Sequence, residues 1–181
     1  MQKGIALFVG TEIPSELIFR PMAQITGNGH RLYALDGDNS FRSYQISRYA
    51  RELGLNPRDA LKNVQIARAF TCYQMADLIS RLRQHTSANS AGIVCLGLLW
   101  MFYDEDVTLS DARRLLHSVI QDLKALSQTA PILITVRPPP QKTMARIEFV
   151  NELLCQADWV HALSSVTQNA LPMQLLLGAK K

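Results

Sequence analysis

Apolar residues along the chain fall into two patterns, short unbroken runs and longer stretches with helical spacing. The runs are GIALFVG (4–10), RLYALD (31–36), VQIARAF (64–70), AGIVCLGLL (91–99) and PILITV (131–136). Runs of this length, apolar on both faces and closed by glycine or a polar residue, predict buried parallel strands. Helical spacing lies between them. Ile46, Tyr49, Ala50 and Leu53 fall at i, i+3, i+4 and i+7, and Gly54 stands where a glycine ends such a helix. Met75, Leu78, Ile79 and Leu82 repeat the spacing. Leu109, Ala112, Leu116, Val119, Leu123 and Leu126 form one continuous seam, with Thr108 and Asp111 placed as a capping box at its start. Strands and helices alternating in this way predict βαβ units with right-handed crossovers.

After Val136 the pattern changes. RPPPQK (137–142) fits neither helix nor central strand, because its three prolines lack backbone donors. It predicts a loop at the carboxyl end of a strand, where open α/β sheets place their ligands. A helix is expected over Met144–Cys155. DWVHALS (158–164) and MQLLLGA (173–179) are expected to close the sheet as an antiparallel pair. Pro21 predicts that the helix after the first strand is kinked or starts late. The expected architecture is α/β, one doubly wound, mainly parallel sheet flanked by helices, as a single domain over residues 1–181.

Composition narrows the function classes. The chain is 48% hydrophobic and 19% charged with a net charge of +4, an ordinary globular balance. Its pI of 9.1 permits contact with nucleic acid without demanding it. Cys72, Cys95 and Cys155 are odd in number and far apart, and the four histidines have no ligand spacing, so neither a disulfide framework nor a metal site is expected. Cys95 reads as a small core residue. No signal peptide and no apolar run of bilayer length is visible. A cytoplasmic protein without a membrane anchor is expected.

In a sheet of this kind phosphates bind at the turn after the first strand. The usual device is G-x-x-x-x-G-K-S/T, whose glycines let N–H groups curl around phosphate, whose lysine adds charge and whose hydroxyl holds magnesium. Here the segment reads GTEIPSEL (10–17). Gly10 keeps the first glycine, while Ser15, Glu16 and Leu17 stand for the second glycine, the lysine and the hydroxyl residue. Pro14 removes a donor from the cradle. Two unit charges 4 Å apart interact by about 4 kcal/mol at an effective dielectric of 20, so exchanging lysine for Glu16 costs ATP several kcal/mol. The carboxylate that should end a buried strand and hold magnesium falls near Leu96 or Gly97, and neither is acidic. Binding of ATP and magnesium is not expected, and no other cofactor is implied. Glu16 is a candidate to fill the phosphate position itself by pairing with Arg42 or Arg68.

The stretch LDGDNSFRSYQISRYARELGLNPRDALKNVQIARAF (35–70) resembles the core of the RecA superfamily, above all its archaeal and eukaryotic recombinase branch and paralogues. There Asp-Thr-Glu-Gly-Thr-Phe-Arg precedes a helix ending in Gly-Leu and a strand with Ala-Arg-Ala-Phe. Asp36-Gly37-Asp38-Asn39-Ser40-Phe41-Arg42, Gly54-Leu55 and Ala67-Arg68-Ala69-Phe70 match these pieces. The resemblance is specific over residues 33–70 and topological elsewhere. It implies a P-loop NTPase-type fold with a degenerate phosphate loop. It puts Asp38 at the position of the family's general base, as a remnant or as a turn residue capping the helix near Phe41. Arg42 is a surface or pocket arginine, and Arg68 is expected to have an ion-pair partner. The first strand starts at residue 4, so the family's N-terminal DNA-binding domain is not expected here. LWMFYDEDV (99–107) and RPPPQKTMAR (137–146) occupy the places of the family's two DNA loops. They offer Trp100, Phe102 and Tyr103, and Arg137, Lys142 and Arg146, as interface or nucleic-acid contacts, although the acids at 104–106 oppose a polyanion.

Three functions are therefore in play. The first is a non-catalytic RecA-like domain acting through protein contacts as an accessory or regulatory protein, with a RecA-family ATPase or another copy of itself as partner. The second is a single-stranded-DNA-binding accessory factor in recombination or repair. The third is a divergent ATP-binding protein or ATPase in which Asp38 still works.

Overall fold

A computed structural model describes residues 3–85 and 90–163. Six strands, β1 (Gly4–Val9), β2 (Arg31–Asp36), β3 (Val64–Arg68), β4 (Ser90–Leu96), β5 (Pro131–Val136) and β6 (Trp159–Ala162), form one sheet in the order β3-β2-β4-β5-β1-β6. Every neighbouring pair is parallel. The helices are α1 (Ser15–Gly27), α2 (Ser43–Glu52), α3 (Pro57–Lys62), α4 (Cys72–His85), α5 (Leu109–Ser127) and α6 (Ile147–Leu154).

Strand periodicity divides the interior into two cores. Ile93 and Cys95 of β4 face one side, with Leu116, Val119 and Leu123 of α5 and Met75 and Ile79 of α4. Val94 and Leu96 face the other, with Ile18, Phe19 and Met22 of α1 and Ile46 and Tyr49 of α2. Side chains alternate across a strand, so an apolar run with no polar position is covered on both faces. The α5 seam is buried from Ala112 to Leu126, while Leu109 stays exposed beside the cap. There the Thr108 side chain accepts from the Asp111 N–H. α2 ends with Gly54 at φ +70°, and the Leu55 N–H donates back to the Ala50 carbonyl.

Three details differ from the sequence reading. α1 runs through Pro21 without interruption and starts at Ser15. The short α3 was not expected; it follows an Asn56 side-chain cap with Pro57 in its first turn. β4 stops at Leu96 because Gly97 adopts φ +58° and turns the chain, and Leu98 and Leu99 stay apolar as core residues beyond the strand. The strand expected over 158–164 is present as β6 and joins the sheet parallel to β1, because α6 returns the chain across the sheet as the earlier crossovers do. The expected partner segment, 173–179, lies outside the described residues.

Candidate functional site

The polar groups of interest gather at the carboxyl ends of β2 to β5. Asp36 shares a face with Leu32 and Ala34, which are buried, so strand alternation carries its carboxylate inward. Its side chain is fully buried. Oδ1 accepts the Ser40 N–H at 2.9 Å, and Oδ2 accepts the Phe41 N–H at 3.3 Å and Arg68 Nε at 3.1 Å. Arg68 is the register partner of Asp36 on β3. Asp36, not Asp38, therefore ties down the turn that leads into α2, and the assignment of that task to Asp38 is corrected. The turn passes through Asn39 at φ 53° and packs tightly at Gly37, where a Cβ would lie 2.4 Å from Met101 Cε.

Asp38 leans across the end of β4. Its side chain is only 4% exposed, Oδ2 lies 3.6 Å from an Arg137 guanidinium nitrogen, and Oδ1 has no hydrogen-bond partner. A Cβ on Gly97 would come within 2.2 Å of Asp38 Cγ. The carboxylate thus occupies space that any side chain at Gly97 would need. The Gly97 N–H is held by Thr135 Oγ1 at 2.8 Å.

The turn between β1 and α1 is built differently. No residue from Gly10 to Leu17 has positive φ, so the segment lacks the left-handed residues that commonly shape an anion nest. The Gly10 N–H is spent on the Val136 carbonyl and the Leu17 N–H on the Pro14 carbonyl. Ser15 begins α1, and Glu16 and Leu17 are exposed in its first turn. The expected pairing of Glu16 with Arg42 or Arg68 is not formed. Arg42 donates to the carbonyls of Asn39 and Phe41, and Arg68 is held by Asp36. Each arginine finds an acceptor within its own or the adjacent strand-end turn, so neither reaches Glu16.

The aromatic segment forms a 3₁₀ turn, Trp100–Tyr103. Phe102 and Tyr103 are core residues, and Trp100 is exposed. Burial pushes the Tyr103 phenol far above its ordinary range, and its hydroxyl donates to the Arg137 carbonyl at 2.9 Å. Arg146 is buried and donates to the carbonyls of Phe102 at 2.6 Å and Val107 at 2.5 Å. It clamps the segment 102–107 and is not free for phosphates, a correction to its place among nucleic-acid contacts. Lys142 is exposed. Together these elements enclose a cavity of 430 Å³ with Asp36, Asp38, Arg68, Phe70, Trp100 and Asp104 in its wall. Sequence reasoning missed Asp36 as an anchor, although the period-two pattern of Leu32, Ala34 and Asp36 carried the signal. It also missed the Arg146 clamp, which spans 44 residues and has no local signature. Among the described residues no group of three or more His, Cys, Asp or Glu side chains could hold a metal ion. No helix among them is long and apolar enough to cross a membrane.

A parallel sheet in this order, helices on both faces and a polar cluster at its strand ends define a RecA-like domain. The Rad51 family model matches residues 15–146, and the chain belongs to the Rad51 family. Among solved structures it is similar to one described as the crystal structure of the RadB recombinase, with a TM-score of 0.57 and 15% sequence identity. That match covers 74% of this chain and 61% of the RadB chain, so this chain spans about three fifths of the relative. No curated protein matches the sequence.

Proposed function

We propose that this Rad51-family domain is non-catalytic and works through protein contacts, as an accessory or regulatory partner of an active RecA-family ATPase. The observation that carries the reading is the turn after β1. It has no left-handed residue, and it ends at an exposed Glu16 where a lysine would meet phosphate. The family match itself begins at Ser15, past most of this turn. The end of β4 adds support, because Gly97 offers no carboxylate for magnesium and Asp38 fills the space beside it. The engagement of Arg137 with Asp38 and of Arg146 with two carbonyls weighs against a nucleic-acid groove at the 137–146 loop.

The test is calorimetry of the purified chain with Mg·ATP, with Glu16→Lys alongside. The native chain is expected to give no heat at millimolar nucleotide. Glu16→Lys is expected to gain little, since charge reversal does not supply the missing curl of the loop. Micromolar binding by the native chain would sink the proposal. The partner half is tested by adding the chain to a Rad51-family ATPase and measuring hydrolysis, where an unchanged rate and no co-sedimentation count against it.

A further inference from the structure

We infer that the 430 Å³ cavity between β2, β3 and the 100–104 segment receives an arginine side chain presented by a partner protein. This rests on the protein-contact reading above and names the chemistry of that contact.

The cavity's electrostatics run against those of the chain. The protein carries +4 overall, yet the wall holds Asp36, Asp38 and Asp104 against Arg68 alone. Asp36 and Arg68 neutralise each other. Asp38 is matched on one oxygen by Arg137, while its other oxygen, buried, has no donor. A buried acceptor without a partner carries a standing desolvation cost. Asp104 in the wall is exposed and has no ion-pair partner among the described residues, and its chain neighbours Glu105 and Asp106 are likewise exposed and unpaired there. The acid excess calls for a cation and opposes a phosphate or a nucleic acid.

The rim selects which cation. Phe70 is 75% exposed and Trp100 45%, both unusually open for large aromatic side chains, and both line the same cavity as the acids. A flat guanidinium can stack on an indole face and donate in its own plane to carboxylates, which a lysine ammonium cannot do together. The volume lies within the range of ligand sites, about 300–1,000 Å³.

The experiment titrates ¹⁵N-labelled full chain with acetyl-Gly-Ala-Arg-Ala-Gly-amide and with the same peptide carrying citrulline, its neutral isostere. The chain has two tryptophans, Trp100 and Trp159, and Trp159 is not in the cavity wall, so its indole signal serves as an internal control. The arginine peptide is expected to move the Trp100 indole signal saturably and leave Trp159 still. The citrulline peptide is expected to bind about tenfold more weakly or worse, as is the arginine peptide to Asp38→Asn. Because Asp38 is buried, the exposed Asp104→Asn provides a second variant that keeps the fold, with an expected loss of about threefold. Equal binding of the two peptides, no saturable shift at millimolar peptide, or indifference to both substitutions in folded protein would overturn the inference. Binding of Mg·ATP would instead defeat the non-catalytic reading, so the two failures are separate.

Discussion

The turns after β1 and after β2 stand at the same end of the same sheet, and they are held in opposite ways. After β2, the DGDNSFR segment hangs on a fully buried Asp36 that satisfies two backbone N–H groups and an arginine. After β1, α1 begins behind Pro14 with no side-chain cap, and its Glu16 and Leu17 touch little. The turn after β2 aligns with the family pattern without a gap and keeps its Asp, Phe and Arg, whereas the turn after β1 departs from the phosphate loop at nearly every position. A residue that satisfies buried backbone groups is bound to the fold, since its loss leaves several groups unpaired at once. A residue that serves only a ligand can change without cost to the fold. The contrast separates the scaffold of a nucleotide site from its chemistry.

The contrast is broken most directly at its anchor. Asp36→Ala is expected to cost about 4 kcal/mol, because two N–H groups and a guanidinium lose their acceptor together. Urea unfolding measures it, and a loss below about 1 kcal/mol would show that the anchor is dispensable. Arg146→Met should follow at about 3 kcal/mol, since it strands the carbonyls of Phe102 and Val107. A change in Trp100 emission should report the loosened segment in the same titration. Gly97→Ala is expected to cost about 2 kcal/mol, combining a left-handed alanine with the clash against Asp38. Adding Asp38→Gly should return part of that loss, whereas strict additivity would place the strain elsewhere. Glu16→Ala, on the other turn, should move stability by about 0.5 kcal/mol or less.

The smallest effect is chemical. Burial pushes the Cys95 thiol up to about 12 and raises that of Cys72, so at pH 8 both stay protonated and poorly nucleophilic. Cys155 is exposed. One of the three thiols is expected to react with an aromatic disulfide at that pH, and the other two only on unfolding.

The sheet was legible because its signal is local. An unbroken apolar run such as PILITV leaves little choice but a covered strand, and the Ala112–Leu126 seam leaves little but a long amphipathic helix. The site was half legible. Arg68 inside an apolar run announced that it needed a partner, but Asp36 and Asp38 stand two residues apart with the same parity, and only the strand register shows that Asp36 meets Arg68 while Asp38 meets Arg137. The α3 helix escaped notice because six residues are too few to show a period, although Asn56-Pro57 marks its start. The direction of β6 could not be read locally, since it depends on where α6 leaves the chain. Arg146 and Gly97 gained their meaning from neighbours 39 or more residues away in the chain.

One consequence of the strand order concerns synthesis. β1 lies between β5 and β6, and Gly4 has its register partner at Pro131. A parallel strand cannot close on a hairpin neighbour. On a ribosome adding about 5–20 residues per second, GIALFV therefore waits about 6–25 s for the β5 strand that will cover its edge. In that interval it is an unpaired apolar segment of a growing chain. Cellular yield should therefore depend on how well that segment is shielded while the second half of the sheet is being translated.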